Sequence, residues 1–135
     1  MIPKFRAWDK TYKTMYEADD IVYIDFEEKQ ICVKTLFFER ASRYDFDDIV
    51  LMQSTGLTDK NGKEIFEGDV LCDEGLEQED EFVYVTVSYK NGMWICARIT
   101  NDDCGYGGAL NEFAEDYSVI GNVYQNKELL EVQDS

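Results

Sequence analysis

Histidine does not occur in this sequence. That absence removes Ser-His and Cys-His nucleophile pairs, histidine metal centres and histidine proton shuttles. Any enzymatic chemistry would have to run on carboxylates, lysine, tyrosine or cysteine. Proline is nearly missing as well, with Pro3 alone, and no stretch reads as a linker or a low-complexity tract. Long apolar runs are lacking. The longest are short, such as Ile49-Val50-Leu51-Met52, far below the ~20 residues that cross a bilayer as a helix. No apolar run follows the basic residues Lys4 and Arg6, so neither a signal peptide nor a membrane partner is expected. Glycine is confined to one part of the chain: all nine stand at position 56 or later.

Cysteine is present but in no recognisable framework. Cys32, Cys72, Cys96 and Cys104 form no CxxC pair, and their spacing matches neither a disulfide scaffold nor the two close ligand pairs of structural zinc. Cys32 and Cys96 sit inside apolar runs, Ile31-Cys32-Val33 and Ile95-Cys96-Ala97. The expectation is free thiols acting as small apolar residues, in the reducing cytoplasm of a cell. No cofactor is expected.

What the chain does contain is a core and a large acidic surplus. Hydrophobic residues make up 44% and aromatics 14% of 135 residues. That is enough for one ordinary domain or two very small ones, and it argues against disorder. The net charge is −16, and it is unevenly placed. Residues 1–43 hold eight basic and eight acidic residues and net to zero. Residues 44–135 hold five basic and 21 acidic residues and carry the whole −16. The densest run is Asp73-Glu74-Gly75-Leu76-Glu77-Gln78-Glu79-Asp80-Glu81, with further acids at Asp102-Asp103 and at Glu112, Glu115 and Asp116. A field of this sign repels phosphate backbones, so no direct nucleic-acid partner is expected. It suits a solvated face, a basic protein partner or a weak divalent cation site.

Period-two alternation recurs along the chain and marks strands. Residues Lys4 to Trp8, a turn at Asp9-Lys10-Thr11, and Lys13 to Tyr16 read as a first hairpin. Ile21 to Phe26 and Ile31 to Phe38 read as strands around a polar turn at Glu27-Glu28-Lys29-Gln30, and Asp47 to Met52 closes this part. Turn signals follow at Lys60-Asn61-Gly62-Lys63 and at Glu67-Gly68-Asp69, the latter feeding a strand at Val70-Leu71. The clearest hairpin joins Phe82–Tyr89 to Met93–Ile99 through Asn91-Gly92, the preferred pair for a type I′ turn. Gly105-Tyr106-Gly107-Gly108 reads as a flexible loop. Leu110, Phe113 and Ala114 predict one short helix over residues 109–116, and Tyr117 to Ile120 a last strand with a short tail after it.

Three motifs suggest chemistry and fit it poorly. Asp59-Lys60-Asn61-Gly62-Lys63-Glu64 places its glycine at position four, where a calcium-binding EF-hand loop needs it at six, and a β-turn explains it better. Gly105–Gly108 lacks the Lys-Ser/Thr of a phosphate loop and has acidic neighbours. The acidic run would supply paired carboxylates for metal-assisted hydrolysis only if its members converge. The candidate partner surface is therefore Arg6 and Trp8, on one face of the first strand with Lys4, together with Asp73, Glu74, Glu77, Glu79, Asp80 and Glu81.

Three segments carry a resemblance. They are Ile2-Pro3-Lys4-Phe5-Arg6-Ala7-Trp8-Asp9; Leu51-Met52-Gln53-Ser54-Thr55-Gly56-Leu57 with Asp59-Lys60-Asn61-Gly62-Lys63-Glu64-Ile65 and Glu67-Gly68-Asp69; and Val119-Ile120-Gly121-Asn122-Val123-Tyr124. In this order they resemble the YopX family of bacteriophage and prophage proteins. They cover roughly a third of the chain. The family often has Pro before the final Glu-Leu-Leu, where this chain has Lys127. The resemblance implies a phage-encoded, mostly β protein in the cytoplasm of a bacterial host, with an SH3-like small barrel in the second part. It brings no catalytic residue with it.

The expectation is thus a mainly β protein: an N-terminal β-hairpin unit over residues 1–52, then an acidic SH3-like small β-barrel over residues 53–135 with one short helix and a tail. Function is expected through a protein partner, basic in charge, with self-association through the N-terminal part. The alternatives are an acidic decoy of a nucleic acid and a carboxylate metal-dependent hydrolase.

Overall fold

The structure is a computed structural model and describes residues 4–34, 41–72, 84–90, 92–98 and 105–127. It is mainly β, built of antiparallel sheets with one short α-helix. The chain forms two compact units, Met1–Gln53 and Ser54–Ser135.

In the first unit, β1 (Phe5–Asp9) lies between β2 (Thr14–Tyr16) and the first half of β6 (Ile49–Thr58), antiparallel to both, with Ala7 opposite Tyr16 on one side and Leu51 on the other. The turn from β1 to β2 is built by Asp9, whose Oδ1 accepts the N–H groups of Thr11 (2.9 Å) and Tyr12 (3.0 Å), as short acidic side chains do at turns. A second sheet has the order β3 (Ile21–Asp25), β4 (Gln30–Lys34), β5 (Ala41–Asp45). Asp25 repeats the device at the β3–β4 turn, accepting the N–H groups of Glu27 and Glu28. Strand β5 was not signalled by the sequence.

The core of this unit is Ala7, Ile31, Val33 and Ile49, with Tyr16, Ile21, Ile24, Tyr44, Phe46 and Leu51 packed around them. Each fully buried aliphatic side chain of this kind contributes about 1.5–3 kcal/mol. Ile31, Cys32 and Val33 are all buried, so both faces of β4 are covered.

In the second unit, the rest of β6 pairs with β7 (Glu64–Phe66), with Ser54 opposite Phe66 and Thr58 opposite Glu64. The register shifts between those pairs, and Gly56 lies in the shift with φ +81, a conformation glycine adopts at no steric cost. A five-stranded antiparallel sheet follows. Its order is β11 (Gly105–Ala109), β10 (Met93–Arg98), β9 (Tyr84–Lys90), β8 (Asp69–Cys72), β12 (Ser118–Asn122). One short helix, α1 (Leu110–Phe113), packs on it. The core is Ile65, Leu71, Val85, Val87, Cys96, Leu110 and Ala114.

The β9–β10 hairpin has the expected two-residue connection, since Lys90 pairs with Met93. Its register sends Cys96 opposite Val87 and Trp94 opposite Tyr89. Cys96 and Trp94 face the cluster of Leu71, Val85 and Val87, while Ile95, from the Met93, Ile95, Ala97 series that alternation picked out, is buried on the opposite face. The Gly105–Gly108 stretch is not a loop but strand β11, paired to β10 across a bulge after Cys96. Ladder hydrogen bonds need no side chain, so a glycine run can serve as an edge strand. The helix is one turn long, with Leu110 and Ala114 buried as their spacing required. Among the described residues no helix is long and apolar enough to cross a membrane.

Candidate functional site

The residues singled out for partner binding fall into two groups. Arg6 is 6% exposed and Trp8 7%. Both belong to β1, the middle strand between β2 and β6, and both faces of that strand are covered, so neither presents surface to a partner. The acids Asp73, Glu74, Glu77, Glu79, Asp80 and Glu81 lie outside the described residues, as do Cys104, Asp102 and Asp103. Among the described residues no three Cys, Asp or Glu side chains are placed to hold one metal ion.

Exposed apolar surface is found elsewhere in the first unit. Val22 is 49% exposed, Tyr23 44% and Phe26 61%. They border an open groove of about 560 Å³ whose walls also include Phe5, Ala18 and Ile24. Phe26 is held edge-on between Phe5 (6.1 Å between centroids) and Phe46 (5.9 Å), a geometry favoured by aromatic quadrupoles. Strand β3, which supplies Val22 and Tyr23, is the outer strand of its sheet among the described residues. A register shift between Ile21 and Tyr23 leaves Val22 as the extra residue of a bulge. The sequence signal was an apolar run, Ile21-Val22-Tyr23-Ile24, longer than a half-buried strand requires, and an aromatic, Phe26, beside a polar turn. It was read only as a strand.

The first unit also holds a hydroxyl pair. Tyr16 and Tyr44 stand 3.5 Å apart at their oxygens, rings 6.0 Å apart. Burial, then the Tyr44 hydroxyl, then the nearby charges raise the Tyr16 pKa well above its ordinary value. Asp9 is among those charges. Its Oδ2 is fully buried and has no hydrogen-bond partner among the described residues.

In the second unit, polar side chains tie the turn at 59–63 to the last strand. Asp59 is 6% exposed. Its Oδ1 accepts the N–H groups of Asn61 and Lys63, both at 2.8 Å, and its Oδ2 accepts that of Val119 at 2.8 Å. Burial opposes the charge, but the three backbone donors and the Lys63 ammonium outweigh it and hold the carboxyl below its ordinary pKa. Asn61 donates to the Ser118 hydroxyl, and the Lys60 N–H donates to the Tyr117 carbonyl. The Gly68 N–H reaches the Val87 carbonyl, and the Gly68 carbonyl receives the Val123 N–H. Asn122 then caps the turn after β12 by accepting from Tyr124 and Gln125. The chemistry of this turn is thus a structural lock.

The YopX protein family profile matches residues 4–131. The chain belongs to the YopX family. Protein EF1440 from Enterococcus faecalis is similar in structure, with 30% sequence identity and a TM-score of 0.64, over 96% of this chain and 99% of that one. Protein yopX from Bacillus subtilis shares the fold with 22% identity and a TM-score of 0.58, over 94% of this chain and 95% of that one. No curated protein matches. The lock just described joins the segments that carried the family resemblance: Asp59 to Gly62, Gly68-Asp69 and Val119 to Val123. In this YopX chain those residues hold the second unit together.

Proposed function

We propose that this YopX protein is a non-enzymatic accessory factor of phage or prophage origin, working in the cytoplasm of a bacterial host by binding another polypeptide. The site is the outer strand β3 and the groove beside it, and the ligand is an extended segment that adds to the β3 edge. One observation carries this reading: Val22, Tyr23 and Phe26 are all strongly exposed around a single groove. Soluble chains seldom leave large apolar side chains clustered at an open strand edge without a partner. Main-chain hydrogen bonds of an added strand supply affinity, and the groove supplies side-chain selectivity. The second unit, an SH3-like half-barrel in this reading, carries the negative charge that keeps the protein soluble and turns away nucleic acid.

The test is a capture experiment at low salt with tagged wild-type protein and a Phe26→Ser variant. The bait is expressed in host cells beside an untagged copy of the same chain. Retention of at least one polypeptide by the wild type and its loss from the variant is the expected result. A wild-type bait that retains neither host protein nor its own copy overturns the reading.

A further inference from the structure

We infer that the segment bound at the β3 groove is basic at both ends and apolar in the middle; this rests on the groove being the binding site. The first unit is neutral only in sum. Of the eight acids in residues 1–43, six stand within residues 17–28: Glu17, Asp19, Asp20, Asp25, Glu27 and Glu28. No Lys or Arg falls in that stretch. Counting Lys4 on the groove wall and Lys29 just after Glu28, two bases against six acids still leave −4. The acids bracket the apolar wall. Glu17 and Asp19 flank Ala18, and Asp25 and Glu27 flank Phe26, both of which line the groove. Asp20 precedes β3 and Asp25 ends it. Glu17, Asp19, Glu27 and Glu28 are exposed.

This charge selects the partner. A second copy would bring the same six acids to the seam, and a phosphate backbone is repelled as well. A segment carrying Lys or Arg is attracted, and rim charges of this kind govern partner choice and association rate. The bulge at Val22 interrupts the edge of β3, so side chains rather than main-chain pairing carry the selection. Spacing gives the rest. Asp20 and Asp25 are five positions apart, about 16 Å along an extended strand. Between them Val22 and Tyr23 are exposed, with Phe26 just beyond. The complementary segment has an apolar centre flanked by basic residues about five positions apart. Arginine suits those positions best, because its guanidinium pairs with a carboxylate and also lies flat on an aromatic ring such as that of Tyr23 or Phe26.

Fluorescence anisotropy with the full chain and three labelled peptides tests this. Each peptide has a Val-Phe-Val centre, with a pair of Arg, of Gln or of Glu on either side. The Arg-flanked peptide binds tightest and the Glu-flanked one weakest. Binding of the Arg-flanked peptide falls about fivefold between ~50 and ~500 mM salt. Asp19→Lys with Glu27→Lys, both at exposed positions, weakens it about tenfold and leaves the Gln-flanked peptide unaffected, while the thermal unfolding curve shows that the variant folds. Phe26→Ser weakens both peptides. Equal binding of the three peptides, or no binding of the Arg-flanked one at ~1 mM, overturns the basic segment. So does Arg-flanked binding that neither variant changes, which would place it on the acidic second unit. A Phe26-dependent capture from host cells that survives the charge reversal overturns the basic segment and leaves the groove reading standing. A capture that Phe26→Ser leaves intact removes the groove itself.

Discussion

Asp59 and Val119 are 60 residues apart in the chain and joined by a 2.8 Å hydrogen bond from the Val119 N–H to the Asp59 carboxylate. With Asn61 and Lys63 on the other oxygen, one buried side chain closes a turn and fastens the last strand to it. Hydrogen bonds to a charged acceptor are worth about 1.5–3 kcal/mol each, and the buried donors left behind carry their own penalty.

Asp59→Ala therefore costs the protein roughly 3–5 kcal/mol, near the upper end for one substitution. Urea unfolding monitored by tryptophan fluorescence measures it. A loss under about 1 kcal/mol would show that water replaces the carboxylate at little cost.

The same residue sets part of the acid limb. Its folded pKa lies below the ordinary 3.8, so the native state binds its proton less readily than the unfolded chain. The stabilisation is complete above 3.8 and is lost as pH falls through the range beneath it. An Asp59→Asn variant, less stable at neutral pH, loses less further stability than wild type when both are titrated below pH ~4.

The Tyr16 hydroxyl gives the alkaline limb. Its pKa is raised in the folded state, so the native protein holds a proton that the unfolded chain releases above about 10. Stability is full below that value and declines as pH rises beyond it. Tyr16→Phe flattens this decline, and spectrophotometric titration of the wild type shows two tyrosines, Tyr16 and the likewise half-buried Tyr124, ionising above the normal range.

Cys96 is fully buried, and burial pushes its thiol pKa up to about 12. Only the thiolate reacts. Iodoacetamide at pH 8 leaves Cys96 unmodified in the native protein and modifies it at the rate of unfolding when urea is added, as peptide mass spectrometry reads directly. Fast labelling in buffer would mean that the β9–β10 hairpin opens locally.

A methyl group on Gly121 would fall inside contact distance of Asn126 Oδ1 and Cγ, and that oxygen already accepts the Asn122 N–H at 3.0 Å. Gly121→Ala destabilises by about 1–3 kcal/mol. Combined with Asn126→Ala it costs less than the two single changes added together, because both remove the same contact.

Much of the fold was legible because local signals agreed. Asn91-Gly92 between two apolar runs gave the β9–β10 hairpin, and Leu110 with Ala114 gave the helical turn. Where signals were missing, pairing decided. Strand β6 runs from Ile49 to Thr58 although its second half, Gln-Ser-Thr-Gly-Leu-Thr, has the composition of a turn. Its Ser54 hydroxyl donates to Glu64 and its Thr55 hydroxyl to the Ile65 carbonyl, so polar side chains serve the pairing. The candidate site was less legible than the fold. Alternation put Arg6 and Trp8 on one face of β1 but left open whether that face meets a partner or is covered, and both are buried.

The sequence by itself determined the strand-rich character, the lack of histidine chemistry, the family and the confinement of the net negative charge to residues 44–135, because each depends on residue types and local periods alone. Tertiary structure decided which acids are structural and which apolar residues stay outside. Asp59 is held charged while buried because two donors of its own turn, Asn61 and Lys63, and one distant donor, Val119, converge on it. Val22, Tyr23 and Phe26 remain exposed because no described strand pairs beyond β3. Burial is a property of what the rest of the chain brings alongside, and no local pattern encodes it.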